Sequence, residues 1–227
     1  MTTTDSLAPV LTIDGPSGSG KGSISKRVAE QLGWHYLDSG ALYRALGIAA
    51  INNKVSLDNE NLLAELVNQV RLEFKKTQRG DWGVYLDGEE IQQQLKTEET
   101  GRIASKIAVY PLVRGNLLAR QHAFQRLPGL VADGRDMGSV VFPEAKHKVY
   151  LTASVEERGN RRYKQLIGKG ISANLRDVIR DVEQRDERDK NRLASPLTVP
   201  DGAVFIDSSF NTIEEVVQLV LKSLKNK

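Results

Sequence analysis

Short apolar runs alternate with longer segments of helical periodicity along most of the chain. The apolar runs predict five buried strands, at about residues 10–13, 34–37, 130–132, 149–151 and 203–206. The periodic segments predict helices at about 24–32, 39–51, 58–69, 97–109, 111–126, 154–168, 174–191 and 212–224. Because strands that alternate with helices usually form a parallel sheet covered on both faces, the pattern predicts an α/β fold. Its ligands should bind at the carboxyl ends of the strands.

One segment departs from this alternation. Residues 71–75 and 82–86 predict two strands joined by a turn, and Asp87-Gly88 predicts a tight turn toward a third strand. The sequence therefore predicts a small antiparallel sheet inserted at about 66–100. The predicted helix starts are the N-caps Ser39 and Asp58 and the capping-box patterns Ser154-x-x-Glu157 and Thr212-x-x-Glu215.

The stretch Gly-Pro-Ser-Gly-Ser-Gly-Lys-Gly at 15–22 follows the first predicted strand and precedes the first predicted helix. It fits the GxxxxGK pattern, in which glycines let backbone N–H groups converge on a phosphate and a lysine, here Lys21, adds positive charge. The stretch predicts a nucleoside triphosphate site; the alternative is a glycine-rich turn that serves only close packing. The predicted ATP contacts are Gly15, Pro16, Ser17, Gly18, Ser19, Gly20, Lys21, Gly22 and Ser23.

Gly22 occupies the position where a Ser or Thr hydroxyl usually ligates magnesium, and Ser23 follows it. We therefore expect no direct protein ligand to the metal. Mg²⁺ would be held by the phosphate oxygens of ATP and by water, which suits a cation that dehydrates reluctantly. A GKG sequence followed by a hydroxyl residue is similar to the nucleoside monophosphate kinases.

Composition narrows the function further. The 227-residue chain is long enough for one substantial core, and its +3 formal charge comes from mixed charges without a basic tail, which favours small phosphorylated substrates over nucleic acid. The absence of cysteine excludes disulfides and thiolate chemistry, and His35, His122 and His147 lack metal-ligand spacing. With no signal-peptide pattern and no apolar run of about 18–20 residues, we expect a cytoplasmic protein without a membrane partner.

Polar clusters follow two of the predicted strands. Ser39 and Arg44 lie close enough in sequence to reach one phosphate; alternatively, Ser39 only caps its helix and Arg44 is a surface charge. The turn Asp133-Gly134-Arg135-Asp136 offers a guanidinium and two carboxylates for substrate or for magnesium-bound water. The alternative for this turn is an Asp–Arg ion pair that closes it.

Two helices carry clustered arginines. Arg158, Arg161 and Arg162 have the spacing of one helical face, where like charges repel unless anions are present. They predict a lid at about 154–172 that closes over ATP and stabilises the charge of phosphoryl transfer. Arg185, Arg188 and Arg192 are interleaved with Asp186 and Asp189, and alternating signs also fit a salt-bridged, solvated helix face.

Four segments together resemble the bacterial cytidylate kinase family of P-loop kinases: Asp-Gly-Pro-Ser-Gly-Ser-Gly-Lys-Gly, Leu-Asp-Ser-Gly-Ala-Leu-Tyr-Arg, Ala-Asp-Gly-Arg-Asp-Met-Gly and Arg-Asp-Lys-Asn-Arg. The resemblance covers nearly the whole chain from Val10, and the antiparallel insert is similar to that of the family's long form. It implies transfer of the ATP γ-phosphate to CMP and dCMP with Mg²⁺, by a monomer. The implied fold is a single P-loop kinase domain with a central five-stranded parallel sheet. Its parts are a core at about 8–38, 104–153 and 195–227, a monophosphate-binding lobe at about 39–103, the lid, and a helix at 174–193.

The resemblance also implies residue roles. The implied catalytic set is Lys21, Arg135, Arg158, Arg161, Arg162 and Arg185. The implied CMP set comprises phosphate contacts (Ser39, Arg44, Arg135), cytosine contacts (Ser105, Arg114, Asp136, Arg192), a ribose contact (Asp189), and Tyr43, Asp133 and Arg188. Base chemistry agrees with Asp136, because a carboxylate accepts from the cytosine N4 amine, which uracil lacks. Lys190 stands where the family pattern has Arg, and nothing explains that difference.

Two other readings stay open. A P-loop kinase could act on another small acceptor, such as UMP, AMP or shikimate. The arginine-rich helices would also suit a nucleotide-dependent RNA-binding protein, which requires tight and steeply salt-dependent RNA binding.

Overall fold

A computed structural model describes residues 8–77, 80, 82–192 and 194–225 of the chain. Contacts divide the chain into two compact units, one formed by the residues up to His35 together with those from Arg126 onward, and the other by Tyr36–Gln125. The second unit is longer than the lobe predicted at about 39–103, because residues 104–125 belong to it. The division into a kinase core, a monophosphate-binding lobe and a lid stays a prediction.

The described residues form eight strands and eight α-helices. The strands are β1 Val10–Asp14, β2 His35–Asp38, β3 Leu72–Lys76, β4 Trp82–Leu86, β5 Glu89–Glu90, β6 Leu130–Gly134, β7 His147–Thr152 and β8 Val204–Asp207. The helices are α1 Lys21–Leu32, α2 Ser39–Asn52, α3 Glu60–Gln69, α4 Glu98–Ile107, α5 Pro111–His122, α6 Val155–Ile167, α7 Leu175–Asn191 and α8 Ile213–Lys225. A short 3-10 turn covers Gln94–Lys96, and a π-helical turn covers Met137–Val141.

The predicted α/β fold with a five-stranded parallel sheet is confirmed. The strand order is β2-β6-β1-β7-β8, and the central strand β1 is buried along its whole length. Continuous apolar strands of this kind are typical of parallel sheets covered on both faces. In register, Asp14 lies beside Gly134 of β6 and Tyr150 of β7. The carboxyl ends of these three strands therefore meet at one edge of the sheet.

Helices of the first unit pack in pairs. α1 packs against α8, and α6 packs against α7. The approach of α6 to α7 depends on Gly159, because a Cβ there would lie 2.4 Å from Cγ1 of Ile179. The two arginine-bearing helices are therefore in close contact.

The second unit contains the predicted antiparallel sheet, in the order β3-β4-β5. Its aromatic residues pack together: Tyr36 contacts Phe74 and Trp82, and Phe74 contacts Phe124 edge to face. α2 packs on α4, and α3 packs on α5. Residues 78, 79 and 81 of the turn predicted between β3 and β4 lie outside the described residues, as does Leu193 at the end of the helix predicted at 174–193.

Two predicted helix caps are wrong by one residue. Asp38, not Ser39, caps α2, and its carboxylate accepts a hydrogen bond from the Ala41 N–H at 2.9 Å. Asn59, not Asp58, caps α3. In each case a second polar residue beside the expected cap has the extended backbone that capping requires.

The capping box at Thr212 and Glu215 is confirmed in both directions. The Glu215 carboxylate accepts from the Thr212 N–H, and the Thr212 hydroxyl accepts from the Glu215 N–H. At α6, the Ser154 hydroxyl accepts from the Glu157 N–H. Helix α5 ends at His122, short of the predicted end near Arg126. Within the described part of the chain, no helix combines the length and the apolar character needed to cross a membrane.

Candidate active site

The glycine-rich loop joins β1 to α1 with a backbone that requires glycine. Gly15 has a φ of +148°, and a Cβ there would lie 1.9 Å from the Leu151 carbonyl oxygen of β7. Gly20 precedes α1 in the left-handed conformation, with a φ of 92°, and provides no side chain to cap the helix. The first N–H groups of α1 are thus left available for an anionic ligand, and the first turn contains no acidic residue.

Lys21 is buried and folded back on the loop. Its ammonium donates to the Pro16 carbonyl at 2.7 Å and to the Ser19 hydroxyl at 3.4 Å. Burial and the nearby positive charge of Arg135 together lower the pKa of Lys21 to about 7, against the opposing charges of nearby carboxylates. A bound anion would favour the protonated form of this lysine.

The carboxyl end of β6 provides Asp133, Arg135 and Asp136. Arg135 Nε donates to Asp189 Oδ2 of α7 at 2.6 Å. Burial pushes the pKa of Asp189 upward, but the charges of Arg135, Arg185 and Arg192 outweigh it and hold the pKa below its usual value. The ion pair therefore joins the predicted acceptor turn to α7, while Asp133 and Asp136 are also buried.

Asp14 at the end of β1 was not among the residues singled out from the sequence. Both of its carboxylate oxygens accept backbone hydrogen bonds, from the Met137 N–H at 2.8 Å and from the Gly138 N–H at 2.7 Å. Burial raises its pKa to about 6, although these two hydrogen bonds oppose the shift. Its sequence signals were a polar residue at the end of an apolar strand and its place as the first residue of the Asp-Gly-Pro-Ser-Gly-Ser-Gly-Lys-Gly segment.

Arg158 is enclosed by the protein itself. Its side chain is 3% exposed and forms two hydrogen bonds with Asp186 of α7, of 2.9 and 2.5 Å. It also donates to the Ala153 carbonyl and to the Ser17 carbonyl of the glycine-rich loop. Arg161 likewise pairs with Glu157 at 2.8 Å. Carboxylates of the chain therefore relieve the expected repulsion at Arg158 and Arg161 without a ligand anion, and the role of the three arginines toward ATP stays a prediction.

Ser208 connects the arginine helix to the glycine-rich loop and was also missed. Arg161 donates to the Ser208 hydroxyl at 3.2 Å and to its carbonyl at 2.7 Å. The Ser208 hydroxyl in turn donates to the Ser19 carbonyl at 3.0 Å or to the Thr152 carbonyl at 2.9 Å. Ser208 directly follows β8, so the rule that ligands bind at strand ends could have identified it.

The remaining predicted arginines of the first unit differ in their surroundings. Arg162 is half-buried and donates to Gln165 at 3.4 Å, and burial lowers its pKa. Arg188 is exposed and donates to the Gln184 carbonyl, whereas Arg192 donates to the Ser195 carbonyl. Asp186 and Asp189, the acidic residues of the same helix, are buried. The alternative of a salt-bridged, solvated face therefore does not describe Asp186 and Asp189, whereas Arg188 lies on the exposed side of the helix.

The predicted residues of the second unit lie on α2, α4 and α5. Arg44 donates to the Leu95 carbonyl at 2.7 Å, so it is not a solvated surface charge. Ser39 is buried at the start of α2. The contacts of the others are Arg114 donating to the Tyr43 hydroxyl at 3.3 Å and Ser105 donating to the Gly101 carbonyl at 3.1 Å.

The residues around the loop suit a magnesium ion that arrives with a triphosphate. Gly22 has no side chain, and both oxygens of Asp14 are occupied by backbone N–H groups. Among the described residues, no three His, Cys, Asp or Glu side chains gather in a way that would hold a metal ion. The absence of a direct protein ligand stays a prediction.

A parallel sheet with a glycine-rich phosphate loop between β1 and α1 defines a P-loop nucleotide-binding protein. A family model described as cytidylate kinase matches residues 11–226. The chain is 50% identical over 219 residues to a cytidylate kinase of Colwellia psychrerythraea, covering 96% of this chain and 97% of that relative. It is also 50% identical over 212 residues to a cytidylate kinase of a Marinomonas species, covering 93% of each. The chain belongs to the cytidylate kinase family and is a kinase, which confirms the resemblance found in the sequence.

Proposed function

We propose that this kinase transfers the γ-phosphoryl group of ATP to CMP and dCMP, yielding ADP and CDP or dCDP. Transfer occurs directly and in line, with Mg²⁺ carried by ATP, as a step of pyrimidine nucleotide metabolism. Family membership and the acidic, buried Asp136 at the end of β6 carry the proposal. Action as a monomer in the cytoplasm is part of the same proposal.

The donor side of the proposal is supported by the phosphate loop. The start of α1 presents backbone N–H groups, and Lys21 adds an ammonium within the loop. Arg161 lies close to the same loop, because a Cβ on Gly20 would be 3.8 Å from Arg161 Nη1. These positive groups suit the charge that phosphoryl transfer spreads over the γ-phosphate oxygens.

The acceptor side within the first unit is supported by Asp136. A carboxylate that is 5% exposed can accept from the cytosine N4 amine but would repel the O4 oxygen of uracil. Sites that hydrogen-bond a substrate amine reject an analogue without it, because their buried polar groups are left unmatched. The CMP contacts assigned to Ser39, Tyr43, Arg44, Ser105 and Arg114 of the second unit stay predictions.

The chain needs no general base for this reaction. The attacking atom is a phosphate oxygen of the acceptor, which is already ionised near neutral pH. Alignment and charge neutralisation by residues such as Lys21 and Arg135 can therefore supply most of the catalysis. Magnesium carried by ATP would supply positive charge that offsets part of the negative charge of the phosphates.

The direct test of the proposal is product identification. Purified protein incubated with γ-labelled ATP, Mg²⁺ and CMP is expected to transfer the label to CDP. Label that appears only as inorganic phosphate, or that stays in ATP, would contradict the proposed transfer.

Arg192→Met is expected to weaken CMP binding about tenfold or more, because a hydrogen bond to a charged group contributes about 1.5–3 kcal/mol. ATP binding should change little. Isothermal titration with each nucleotide measures both, and Lys190→Met on the same helix turn removes one exposed positive charge as the matched control. A defect confined to ATP would instead assign Arg192 to the donor site.

ATP binding is expected to take up a proton above neutral pH. Burial lowers the pKa of free Lys21 to about 7, and the phosphates of bound ATP favour the charged lysine. Since the bound state then holds more protons, affinity should fall as the pH rises above 7, by up to about tenfold per pH unit. Calorimetry at about pH 8 in two buffers of different ionisation enthalpy measures the uptake.

Lys21→Arg is the control for that measurement, because a guanidinium remains charged throughout this pH range. The Lys21→Arg variant should take up fewer protons on binding ATP than the wild type does. Equal uptake by the two proteins would show that Lys21 is not the titrating group.

A further inference from the structure

Asp14 is the most completely buried carboxylate near the proposed site. It is 0% exposed, and it ends the central strand β1 directly before the glycine-rich loop. Its oxygens accept from two consecutive N–H groups, those of Met137 and Gly138, at 2.8 and 2.7 Å. These contacts join the start of the donor loop to a segment more than 120 residues away.

The two hydrogen bonds fix the backbone that carries Asp136. Met137 directly follows Asp136 and begins the π-helical turn Met137–Val141. The Asp136 carbonyl itself accepts from the N–H groups of Val140 and Val141, at 2.9 and 3.1 Å. Hydrogen bonds therefore hold both the start and the end of the turn that follows Asp136.

A carboxylate is the side chain that this arrangement requires. Burial disfavours the charged form of Asp14, as does the nearby charge of Asp136. An uncharged asparagine would be easier to bury, but its amide offers one oxygen acceptor and one nitrogen donor. It could accept from only one of two adjacent N–H groups and would direct a donor at the other. A donor facing a buried donor leaves both without a partner, which is unfavourable.

We propose that Asp14 is a positioning residue for acceptor choice: its carboxylate holds the backbone turn that places Asp136 against the base of the acceptor nucleotide. The inference rests on the proposed preference for cytosine nucleotides. Asp14 contacts no substrate in this proposal and acts through Met137 and Gly138.

Asp14→Asn is expected to lower kcat/KM for CMP by about tenfold, the effect of losing about one net hydrogen bond. Because Asp136 distinguishes CMP from UMP, the ratio of kcat/KM for the two acceptors should fall by a similar factor. KM for ATP should stay within about twofold of the wild type. The ratio does not depend on the active fraction, since partial unfolding lowers both values equally.

Thr12→Val is the matched control. Thr12 is also fully buried on β1, and its hydroxyl makes no hydrogen bond within the described residues. The hydroxyl lies beside Gly138, because a Cβ on that glycine would be 2.7 Å from Thr12 Oγ1. The substitution alters the same buried region without touching the hydrogen bonds of Asp14, so the CMP to UMP ratio should be unchanged.

Asp14→Ser provides a second test, because serine has one side-chain oxygen and no amide group. This variant should also lower the ratio of kcat/KM for CMP to kcat/KM for UMP. An unchanged ratio in both Asp14 variants would overturn the proposal, as would failure of both to fold while Thr12→Val folds. An equal fall in kcat for both acceptors would also overturn the proposal. It would indicate that Asp14 acts on phosphoryl transfer through Lys21 and not on the choice of acceptor. If the wild type shows no preference for CMP over UMP, the proposed function itself has failed. A wild-type preference that survives unchanged in both Asp14→Asn and Asp14→Ser overturns only the positioning role.

Discussion

Lys21→Met is expected to lower kcat by at least about 10³-fold while CMP binding stays close to that of the wild type. The ammonium lies inside the phosphate loop, where it would neutralise charge that develops on the transferring group. Positioned cations contribute about 10³ to 10⁵ in rate in well-studied phosphoryl transfer enzymes. A steady-state assay with saturating ATP and CMP measures the loss.

The loss should reflect chemistry and not unfolding. Lys21 is buried with a pKa lowered to about 7, so methionine replaces a side chain whose charge is already disfavoured by burial. The melting temperature should therefore stay near that of the wild type. Lys26→Met on the same helix is the control and should keep full turnover. Wild-type turnover by Lys21→Met would contradict the role assigned to Lys21.

Arg158→Met is expected to cost about 3–5 kcal/mol of unfolding free energy, because it leaves Asp186 charged and unpaired in a buried site. Both partners are nearly inaccessible, with side-chain exposures of 3% and 9%. For a chain of this size the melting temperature should fall by about 6–20 °C. Combining the change with Asp186→Leu should restore much of the stability, since the second substitution removes the stranded charge.

Arg180→Met is the matched control for that experiment. Arg180 pairs with Asp177 on the surface of α7, with side-chain exposures of 65% and 59%. Such exposed pairs contribute about 0–1 kcal/mol, so little stability should be lost. Urea unfolding of the wild type and the three variants measures these differences. A large loss of turnover in Arg158→Met without loss of stability would contradict the structural role and support the catalytic role predicted from sequence.

The phosphate loop and the main sheet were predictable because their signals are local. Glycine spacing, the apolar run before it and the helical periodicity after it all lie within about 25 residues of one another. The antiparallel insert was predictable for the same reason, from two short strands and the turn at Asp87-Gly88. Helix caps were less certain, because adjacent polar residues such as Asp38 and Ser39 can both begin a helix.

The partners of the charged residues could not be predicted from spacing alone. Arg158 pairs with Asp186 and Arg135 pairs with Asp189 only because α7 packs these two carboxylates inward. Asp14 finds its two N–H donors only through the pairing of β1 with β6. The partners in these contacts are 28 to 124 residues apart in sequence and meet only through tertiary packing. The spacing of residues within one helix gives no information about such partners.

The most direct test of the proposed function is an acceptor panel with the wild-type protein. With saturating ATP and Mg²⁺, kcat/KM is measured for CMP, dCMP, UMP, AMP and shikimate. CMP and dCMP are expected to exceed the others by about 100-fold or more, since an unmatched buried polar group discriminates at least that strongly. Equal or better turnover of UMP, AMP or shikimate would contradict the account, as would tight, salt-dependent RNA binding without turnover of any acceptor.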